Sequence, residues 1–528
     1  MSQIGRTVFL DKFPTVRYNI IVEELPHNME RMMKMSRFPT SRAFAMILCA
    51  LILTGTASCG DAAVSDDTTA AADAVVTDAA PAGYDYEGID YGGYEFKFFN
   101  FDKCWGCTIR LDAETQTGDV MDDAVFTRNQ KVEEEMNIDI KEITFQYSSW
   151  NASQVAMADQ FIQSVMADDQ SYDAAYLPVS FKPSLVTDGY LMDLNSIPEL
   201  QLDEEWWDSV FNDALTINGK LYSASSPLYL MSMDQATVLY FNKDHFDNLK
   251  LEYPYELVRD GKWTLDKWQE YITACTMLNG DDSFTYRKDG TSIYGVGGHH
   301  EFPIALAYAA DSRVLTRDGD SLTLAIESER FVNTMEKLAN ILSTHDGSAL
   351  FYVAVPSTPA EANPSNLFKA GRAAFSTLEV KDALSMRDTE VNFGLIPMPK
   401  YDEAQKSYYS YVSDSVNLLG IPVTAEDPAR TGKILDALSF ESNVSCMPLY
   451  YDTVLAYKGM RDEDSIEMLQ IIKESRVAET SQFLGVTKAY VTALNNTIVH
   501  ATGGQASLAA THKSAIEKNL ENLFKAYE

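Results

Sequence analysis

Between residues 94 and 177, strand-like and helix-like segments alternate, and this alternation constrains the fold more than any other feature of the sequence. The strand-like segments are rich in aromatic and β-branched residues, and the helix-like segments place apolar residues at helical spacing. The predicted elements are a strand at 94–100, a helix at 122–136, a strand at 137–144, a helix at 151–166 and a strand at 172–177. Such an order predicts an α/β fold with a parallel sheet covered by helices.

A second block with the same character follows residue 236. Its predicted elements are strands at 236–241, 373–378, 393–399 and 415–421, and helices from 263 onward and at 328–342. Thr264 is a suitable N-cap for the helix that follows Trp263. The chain ends in a predicted helix with apolar residues at Ile516, Leu520 and Leu523. Two α/β units therefore share the chain.

The charge of the chain restricts its partners. Against 42 Lys and Arg stand 77 Asp and Glu, for a net charge of −35 over 528 residues. Phosphate backbones and anionic lipid surfaces repel such a protein, so nucleic acid is excluded as a partner. The 46% hydrophobic content is that of an ordinary globular protein.

The segment up to residue 58 has the features of an export signal. Basic residues within 31–42 precede an apolar run at 43–53, and small residues lead to Cys59. The apolar run is too short to span a membrane. Small residues before a Cys resemble a bacterial lipobox, which predicts lipidation of Cys59, although Thr56 stands where Leu is usual and an ordinary signal peptidase is the alternative. The start codon stays open among the methionines at 29–35.

Residues 59–83 are predicted to be a flexible acidic linker behind the lipidated Cys59. Beyond Cys59 the segment holds five Asp, nine Ala and no Lys or Arg, too little apolar bulk to fold. A lipid at Cys59 would place the body on the extracellular face of the cytoplasmic membrane. The lipid would be its only membrane contact.

Catalytic signatures are missing from the sequence. It contains no Gly-x-Ser-x-Gly, no P-loop and no His-Glu-x-x-His, so we predict neither an enzyme nor a cofactor. Cys104 and Cys107 form a CxxC that fits a redox or metal site, a local disulfide or two packed thiols. Residues 279–282 fit either a calcium loop or a solvated turn. Neither pattern is complete enough for us to predict a metal.

Aromatic residues are frequent in the loops near predicted strand ends. Those in or beside loops are Trp105, Trp150, Tyr176, Trp206, Trp207, Tyr222, Tyr229, Tyr408, Tyr409 and Tyr411. Aromatic faces beside carboxylates or amides suit a sugar, because its apolar ring faces stack and its hydroxyls need polar partners. This pattern favours a carbohydrate ligand.

Several segments, in their order along the chain, resemble the clostridial type of family 1 extracellular solute-binding proteins, the substrate-binding lipoproteins of ABC transporters. The first includes GDVMDDAVFTRNQKVEEEMNI at 118–138. The others lie at 189–195, 206–208, 218–222, 240–243, 260–265, 393–402 and 462–469. The match extends over nearly all of residues 90–528.

The resemblance implies a two-lobe periplasmic-binding-protein-like (type II) fold with hinge-linked lobes. The expected boundaries are 84–235 and 373–416 for the N-terminal lobe, and 236–372 and 417–528 for the C-terminal lobe. A small-molecule ligand, expected to be an oligosaccharide, would close the lobes, and the permease subunits of an ABC importer would recognise the closed monomer. The alternatives are an exported saccharide-active enzyme and a binding protein for peptides or other polar solutes.

Strand ends that face the cleft are where ligands bind in open α/β sheets. The residues next to those predicted ends are Trp105, Tyr176, Asp234, Glu379, Tyr411 and Asp414, and His300, which ends a glycine-rich loop, is a further candidate. We expect the aromatic residues to stack on sugar rings and the carboxylates to accept hydrogen bonds from hydroxyls.

Overall fold

The structure is a computed structural model that describes residues 83–528, except 102–110, 114, 147, 300, 343–345, 353–362 and 501–503. Several sequence predictions fall outside these residues. They are the export signal and lipidation at Cys59, the linker before residue 83, the Cys104–Cys107 pair, and the site residues Trp105 and His300.

The elements alternate along the chain as the sequence predicts. The strands are β1 Tyr94–Phe101, β2 Ile138–Phe145, β3 Ala174–Leu177, β4 Thr237–Asn242, β5 Tyr294–His299, β6 Leu315–Asp318, β7 Ser321–Leu324, β8 Ala349–Tyr352, β9 Ala373–Glu379, β10 Phe393–Ile396, β11 Ser410–Tyr411, β12 Leu418–Gly420 and β13 Arg476–Val477. The helices are α1 Val120–Met136, α2 Trp150–Ala167, α3 Ser184–Thr187, α4 Ser209–Leu215, α5 Met231–Asp234, α6 Lys243–Leu249, α7 Tyr255–Arg259, α8 Leu265–Cys275, α9 Phe302–Ala309, α10 Glu329–Ile341, α11 Pro364–Lys369, α12 Asp382–Met386, α13 Pro428–Glu441, α14 Glu463–Glu474, α15 Thr480–Phe483, α16 Lys488–Val499 and α17 Gln505–Ala526.

The N-terminal lobe is built on a sheet whose described strands have the order β12-β3-β1-β2. Strand β1 pairs in parallel with both β2 and β3, and β12 runs antiparallel to β3. Helix α1 begins where the Asp119 side chain accepts the N–H groups of Met121 and Asp122, and it buries Val125 and Val132 against the sheet. The predicted parallel sheet with helical cover is confirmed.

The C-terminal lobe is built on a sheet whose described strands have the order β10-β4-β9-β5-β8. Strand β5 runs parallel to β8 and β9, whereas β4 is antiparallel to both β9 and β10. Helix α8 begins at the predicted N-cap Thr264, and Trp268 on this helix packs its fully buried indole on Phe375 of β9. The apolar strands β4 and β9 thus lie inside the lobe.

The pairing corrects the predicted lobe boundaries. We expected residues 373–416 in the N-terminal lobe, but β9 pairs with β4 and β5, and β10 pairs with β4. We expected residues from 417 onward in the C-terminal lobe, but β12 pairs with β3. The chain therefore returns to the N-terminal sheet between Ile396 and Leu418. An apolar strand has the same sequence pattern in either sheet, so pattern alone could not assign it.

One long helical segment connects the lobes after β12. Helix α13 packs on α1 of the N-terminal lobe and continues into π-helical turns at Ser442–Cys446 and Leu449–Gly459. The second π-helical stretch packs on α12 of the C-terminal lobe. The chain ends in α17, which buries Ile516, Leu520 and Leu523 as its spacing predicts. Within the described ranges, no helix combines the length and apolar character needed to cross a membrane.

The start of the described chain is fastened to α13. The Tyr84 hydroxyl donates to Asp436 at 2.8 Å, and the Tyr86 hydroxyl donates to Glu441 at 3.0 Å. Asp436 also accepts the indole N–H groups of Trp206 and Trp207, each at 2.9 Å. A buried carboxylate with several donors is well satisfied, so these groups hold the N-terminal segment, the 206–207 loop and α13 together.

Candidate functional site

The carboxyl ends of the parallel strands β5 and β9 open into a cavity of about 410 Å³, called here the carboxyl-end cavity. Its lining comes from the C-terminal lobe and from the segment that returns to the N-terminal lobe. The lining residues are Thr237, His299, Glu301, Phe302, Ala305, Asn363, Ser365, Thr377, Leu378, Glu379, Lys381, Asp382, Tyr411, Ser413 and Ser415. Ligands of open α/β sheets bind at this end of the strands.

Glycine at position 298 lets this end of the sheet pack closely. A Cβ on Gly298 would lie 3.1 Å from both Phe302 Cδ1 and Thr377 Oγ1. Helix α9 therefore starts close to β5 and β9, with Glu301 and Phe302 beside the cavity. Pro303 in the first turn of α9 fixes the strand-to-helix change, because its ring suits a helix start.

The opposite wall is the segment 413–415, which leads into β12 of the N-terminal lobe. The Ser415 hydroxyl donates to Gln235 Oε1 at 2.6 Å, and the Ser180 hydroxyl donates to the main-chain oxygen of Asp414 at 2.7 Å. Lys488 Nζ lies 2.9 Å from Asp414 Oδ2. The cavity is therefore bounded by both lobes, as a cleft that closes on a ligand requires.

Three charged residues at the end of β9 form the acidic floor of the cavity. Lys381 Nζ lies 2.7 Å from Glu379 Oε2, and Asp382 Oδ2 accepts the main-chain N–H of Glu379 at 2.9 Å. Burial raises the pKa of the Glu379 carboxyl, and burial also raises the pKa of Asp382. These carboxylates can accept hydrogen bonds from ligand donors in a partly dry setting.

Asp234 lies beneath this floor and is only 2% exposed. Its Oδ2 accepts the Tyr450 hydroxyl at 3.2 Å, whereas its Oδ1 has no hydrogen-bond partner. The main-chain N–H of Lys381 donates to the Asp234 carbonyl at 2.9 Å. Burial raises the pKa of Asp234 to about 7, against the opposing effect of the Lys381 charge.

The structure brings some of the predicted site residues together and separates another. Glu379 and Tyr411 line the cavity, Asp414 flanks it, and Asp234 lies below it. Tyr176 is 1% exposed and packs in the N-terminal lobe against Phe98 and Tyr229. Its ring offers no free face, so the predicted stacking of Tyr176 on a sugar is wrong for this conformation.

Sequence reasoning missed Glu301, Lys381 and Asp382. A signal was available for each of them. Glu301 stands between a glycine-rich segment and a proline, and Lys381 and Asp382 follow the strand that ends at Glu379. Charged residues directly after a strand can contact a ligand that binds at that end of the sheet.

Two aromatic side chains contribute to the part of the cavity that the structure describes. In the described lining, Phe302 and Tyr411 are the rings, and they are 3% and 5% exposed. Tyr411 packs on Tyr308 at a centroid distance of 5.0 Å. The described part of the site therefore acts mainly through polar and charged groups.

A second cavity of about 550 Å³, called here the amino-end cavity, lies where β5 and β9 begin. Its charged and titratable groups already have partners within the protein. His245 Nε2 is 2.8 Å from the Gly371 oxygen, and the Arg372 guanidinium donates to the carbonyl oxygens of Thr285, Arg287 and Ser292. These two side chains are therefore already used to hold the surrounding main chain.

The loop considered for calcium borders this second cavity. Asp281 accepts the main-chain N–H groups of Thr291 and Ser292 at 2.8 and 2.7 Å, and these bonds lower its pKa to about 2. Its oxygens are therefore used to close the loop. Among the described residues, no group of three or more His, Cys, Asp or Glu is placed to hold a metal ion.

Comparison with known proteins places the architecture. No family model matches this sequence. No curated protein matches it either.

Solved structures do match. The maltose-binding periplasmic protein MalE of Listeria monocytogenes, in complex with maltose, is 13% identical with a TM-score of 0.52, over 81% of this chain and 98% of that one. The maltose/maltodextrin-binding domain MalE of Bdellovibrio bacteriovorus, bound to maltotriose, is 13% identical with a TM-score of 0.51, over 81% and 100%. The GacH receptor of Streptomyces glaucescens, solved unliganded and with acarbose, is 12% identical with a TM-score of 0.51, over 81% and 99%.

These likenesses extend over nearly the whole of the solved chains and over about four-fifths of this one. At 12–14% identity, such likenesses establish the fold. The two sheets, the repeated crossing of the chain between them and the cleft at their carboxyl ends agree with it. The chain has the two-lobe α/β fold of type II periplasmic binding proteins, as the sequence predicts.

Proposed function

We propose that this protein captures an oligosaccharide outside the cytoplasm and delivers it to an ABC importer by closing its lobes. The observation that carries the proposal is the carboxyl-end cavity, which is bounded by both lobes of a type II binding-protein fold. The names of three structural neighbours give further support, since they mention maltose, maltotriose and acarbose as ligands.

The lining of the cavity has the chemistry for a polyhydroxylated ligand. Glu379 and Asp382 present carboxylate acceptors. The Ser413 and Ser415 hydroxyls already bond to one another and to Gln235, and their oxygens keep capacity to accept further hydrogen bonds. A ligand that bridges Glu379 and Ser413 would contact both walls and stabilise the closed arrangement. A ligand shifts a conformational equilibrium only through such differential contacts.

Calorimetric titration with a panel of oligosaccharides tests this proposal, with tripeptides as the control for other polar solutes. We expect saturable binding of at least one saccharide and none of the tripeptides. Small-angle scattering should show a smaller radius of gyration at saturation, because the lobes close. Binding of the peptides alone, or an unchanged radius with a bound saccharide, would contradict the proposal.

The same panel separates binding from catalysis. The acidic floor places Glu379 and Asp382 beside one another, and pairs of carboxylates also occur in glycosidases. We expect the saccharides to be recovered at their original chain length after incubation with the protein. Accumulation of shorter products would favour the exported enzyme instead.

Anchoring is part of the proposal. We expect Cys59 to carry a lipid that holds the monomer on the extracellular face of the cytoplasmic membrane, where its permease subunits lie. The full-length protein should fractionate with membranes, and Cys59→Ala should be found in the soluble fraction. Equal retention of both proteins in the membrane fraction would rule out the lipid anchor.

A further inference from the structure

Carboxylates outnumber cations around the carboxyl-end cavity. Glu301, Glu379 and Asp382 line it, and Asp234 lies directly beneath. Among the described lining residues, Lys381 carries the one permanent positive charge. This excess of negative charge is unusual for a partly buried site, because each unpaired charge there is costly.

Lys381 forms a close ion pair with Glu379. Its Nζ lies 2.7 Å from Glu379 Oε2, and its main-chain N–H donates to the Asp234 carbonyl. Asp382 uses one oxygen to accept the Glu379 N–H, a neutral donor, and the positive charges of Lys381 and Lys369 partly offset its own. The single ammonium of Lys381 therefore faces three carboxyl groups, those of Glu379, Asp382 and Asp234.

The other titratable groups at the site do not remove the imbalance. Across the cavity, Asp414 is paired with Lys488 at 2.9 Å, so that pair is neutral as a whole. His299 lies in the lining beside Glu301 and is the further group able to gain a proton. Tyr411, whose pKa burial raises, stays neutral.

An independent observation comes from Asp234. Its Oδ1 is buried without a hydrogen-bond partner, although most buried polar atoms have one. Burial raises the pKa of Asp234, and the negative charge of Glu379 acts in the same direction. Because the pKa of Asp234 is about 7, this carboxyl is mostly protonated at pH 6. The negative charge of the site therefore comes from the lining carboxylates, and Asp234 adds a buried oxygen without a hydrogen-bond partner beneath them.

We propose that the carboxyl-end cavity selects saccharides that carry a protonated amine over neutral saccharides, and excludes saccharides that carry carboxylates. The inference rests on the proposed function and narrows its ligand class. An ammonium group offers three donors, and its hydrogen bonds to carboxylates are charge-assisted. A uronate would instead place a like charge beside Glu379 and Asp382, where the partly dry surroundings strengthen repulsion.

Calorimetry with two pairs of trimers tests the selection. In each pair the linkage and ring configuration are constant and the charge changes: the β-1,4-linked glucosamine trimer against cellotriose, and the α-1,4-linked galacturonate trimer against the α-1,4-linked galactose trimer. At pH 6 and low salt, we expect the glucosamine trimer to bind about tenfold tighter than cellotriose, and the galacturonate trimer to bind about tenfold or more weaker than the galactose trimer.

Variants locate the effect. We expect Asp382→Asn to reduce the preference for the glucosamine trimer to less than about threefold, because one negative charge of the lining is removed. The matched control is Asp388→Asn, whose side chain is 93% exposed and outside the cavity, and it should keep the full preference. Thermal melts confirm that both variants fold, and the comparison between trimers on the unmodified protein stands without them.

The outcomes separate this inference from the proposed function. Neutral trimers that bind as tightly as the glucosamine trimer, or a galacturonate trimer that binds tightest, would overturn the inference and leave saccharide capture intact. A preference that survives Asp382→Asn unchanged would also overturn it. Failure of every saccharide to bind would contradict the proposed function and the inference together.

Discussion

Two cavities lie at opposite ends of the strands of the C-terminal sheet, and they differ in how their polar groups are used. The amino-end cavity measures about 550 Å³, and His245 and Arg372 in its lining already bond to main-chain oxygens of the protein. The carboxyl-end cavity is of comparable size, at about 410 Å³, and its lining holds three carboxyl groups, those of Glu301, Glu379 and Asp382, and one lysine, Lys381.

The contrast shows that a concave shape alone does not identify a binding site. A concave surface binds selectively when its polar groups still need partners, because a ligand then replaces water with directed hydrogen bonds. At the amino end those groups hold a loop in place. At the carboxyl end they face a cleft between two lobes.

The largest expected effect is on the pH dependence of stability, and it comes from the buried carboxyl of Asp234 beneath the carboxyl-end cavity. The folded-state pKa of Asp234 is about 7, above its usual value of 3.8, so the folded protein retains a proton that the unfolded chain has released. The contribution of Asp234 to the free energy of unfolding is therefore full below about pH 4. It falls by a total on the order of 4 kcal/mol as the pH rises to about 7.

Asp234→Asn removes this titration. Urea unfolding between pH 4 and pH 8 should show a free energy of unfolding that declines less steeply with pH in the variant than in the parent. Other buried carboxyls titrate in both proteins, so only the difference in slope matters. If the free energy of unfolding depends on pH equally in parent and variant, Asp234 does not titrate with a raised pKa.

The second test concerns the amino-end cavity, where we expect a structural role only. Arg372→Met deletes donors to the Thr285, Arg287 and Ser292 carbonyls and leaves partly buried acceptors unsatisfied. We expect unfolding in urea to become easier by about 3 kcal/mol, with ligand affinity within twofold of the parent. If the folded variant binds the ligand more weakly than the parent, the amino-end cavity also takes part in binding and the two cavities do not differ as described.

The third and smallest effect is on affinity. Glu379→Gln replaces a charged acceptor on the cavity floor by a neutral one of the same size, and we expect binding of the tightest trimer to weaken about tenfold. Thr291→Ala in the amino-end cavity is the control and should bind as the parent does. If both variants bind equally well by calorimetry, the carboxyl-end cavity is not the site.

Local elements of this fold could be predicted from the sequence, whereas their arrangement could not. Residues 94–100 and 137–144 become β1 and β2 because aromatic and β-branched runs favour strands wherever they lie. Assignment of β9 and β12 to a lobe failed because both strands are buried almost throughout. The sequence of a strand that is buried on both faces does not indicate which strands lie beside it.

The site shows the same limit. Glu379 was predicted because it follows a strand, and its neighbour Asp382 was missed although it follows the same strand. Tyr176 also lies at a strand end, but the chain folds Tyr229 over it. Whether a residue at a strand end faces the cleft depends on which loop packs over it. That loop can be distant in sequence, so the local pattern does not reveal it.

The attachment of the first described residues to α13 has a mechanical consequence. Any pull on the chain ahead of residue 83 is transmitted through the Tyr84 and Tyr86 hydroxyls to α13. Because α13 packs on α1, the load falls on the N-terminal lobe. The C-terminal lobe receives this load through the chain crossings and through the helical segment that continues α13 to α12. An attachment ahead of residue 83 would therefore hold the N-terminal lobe more directly than the C-terminal lobe.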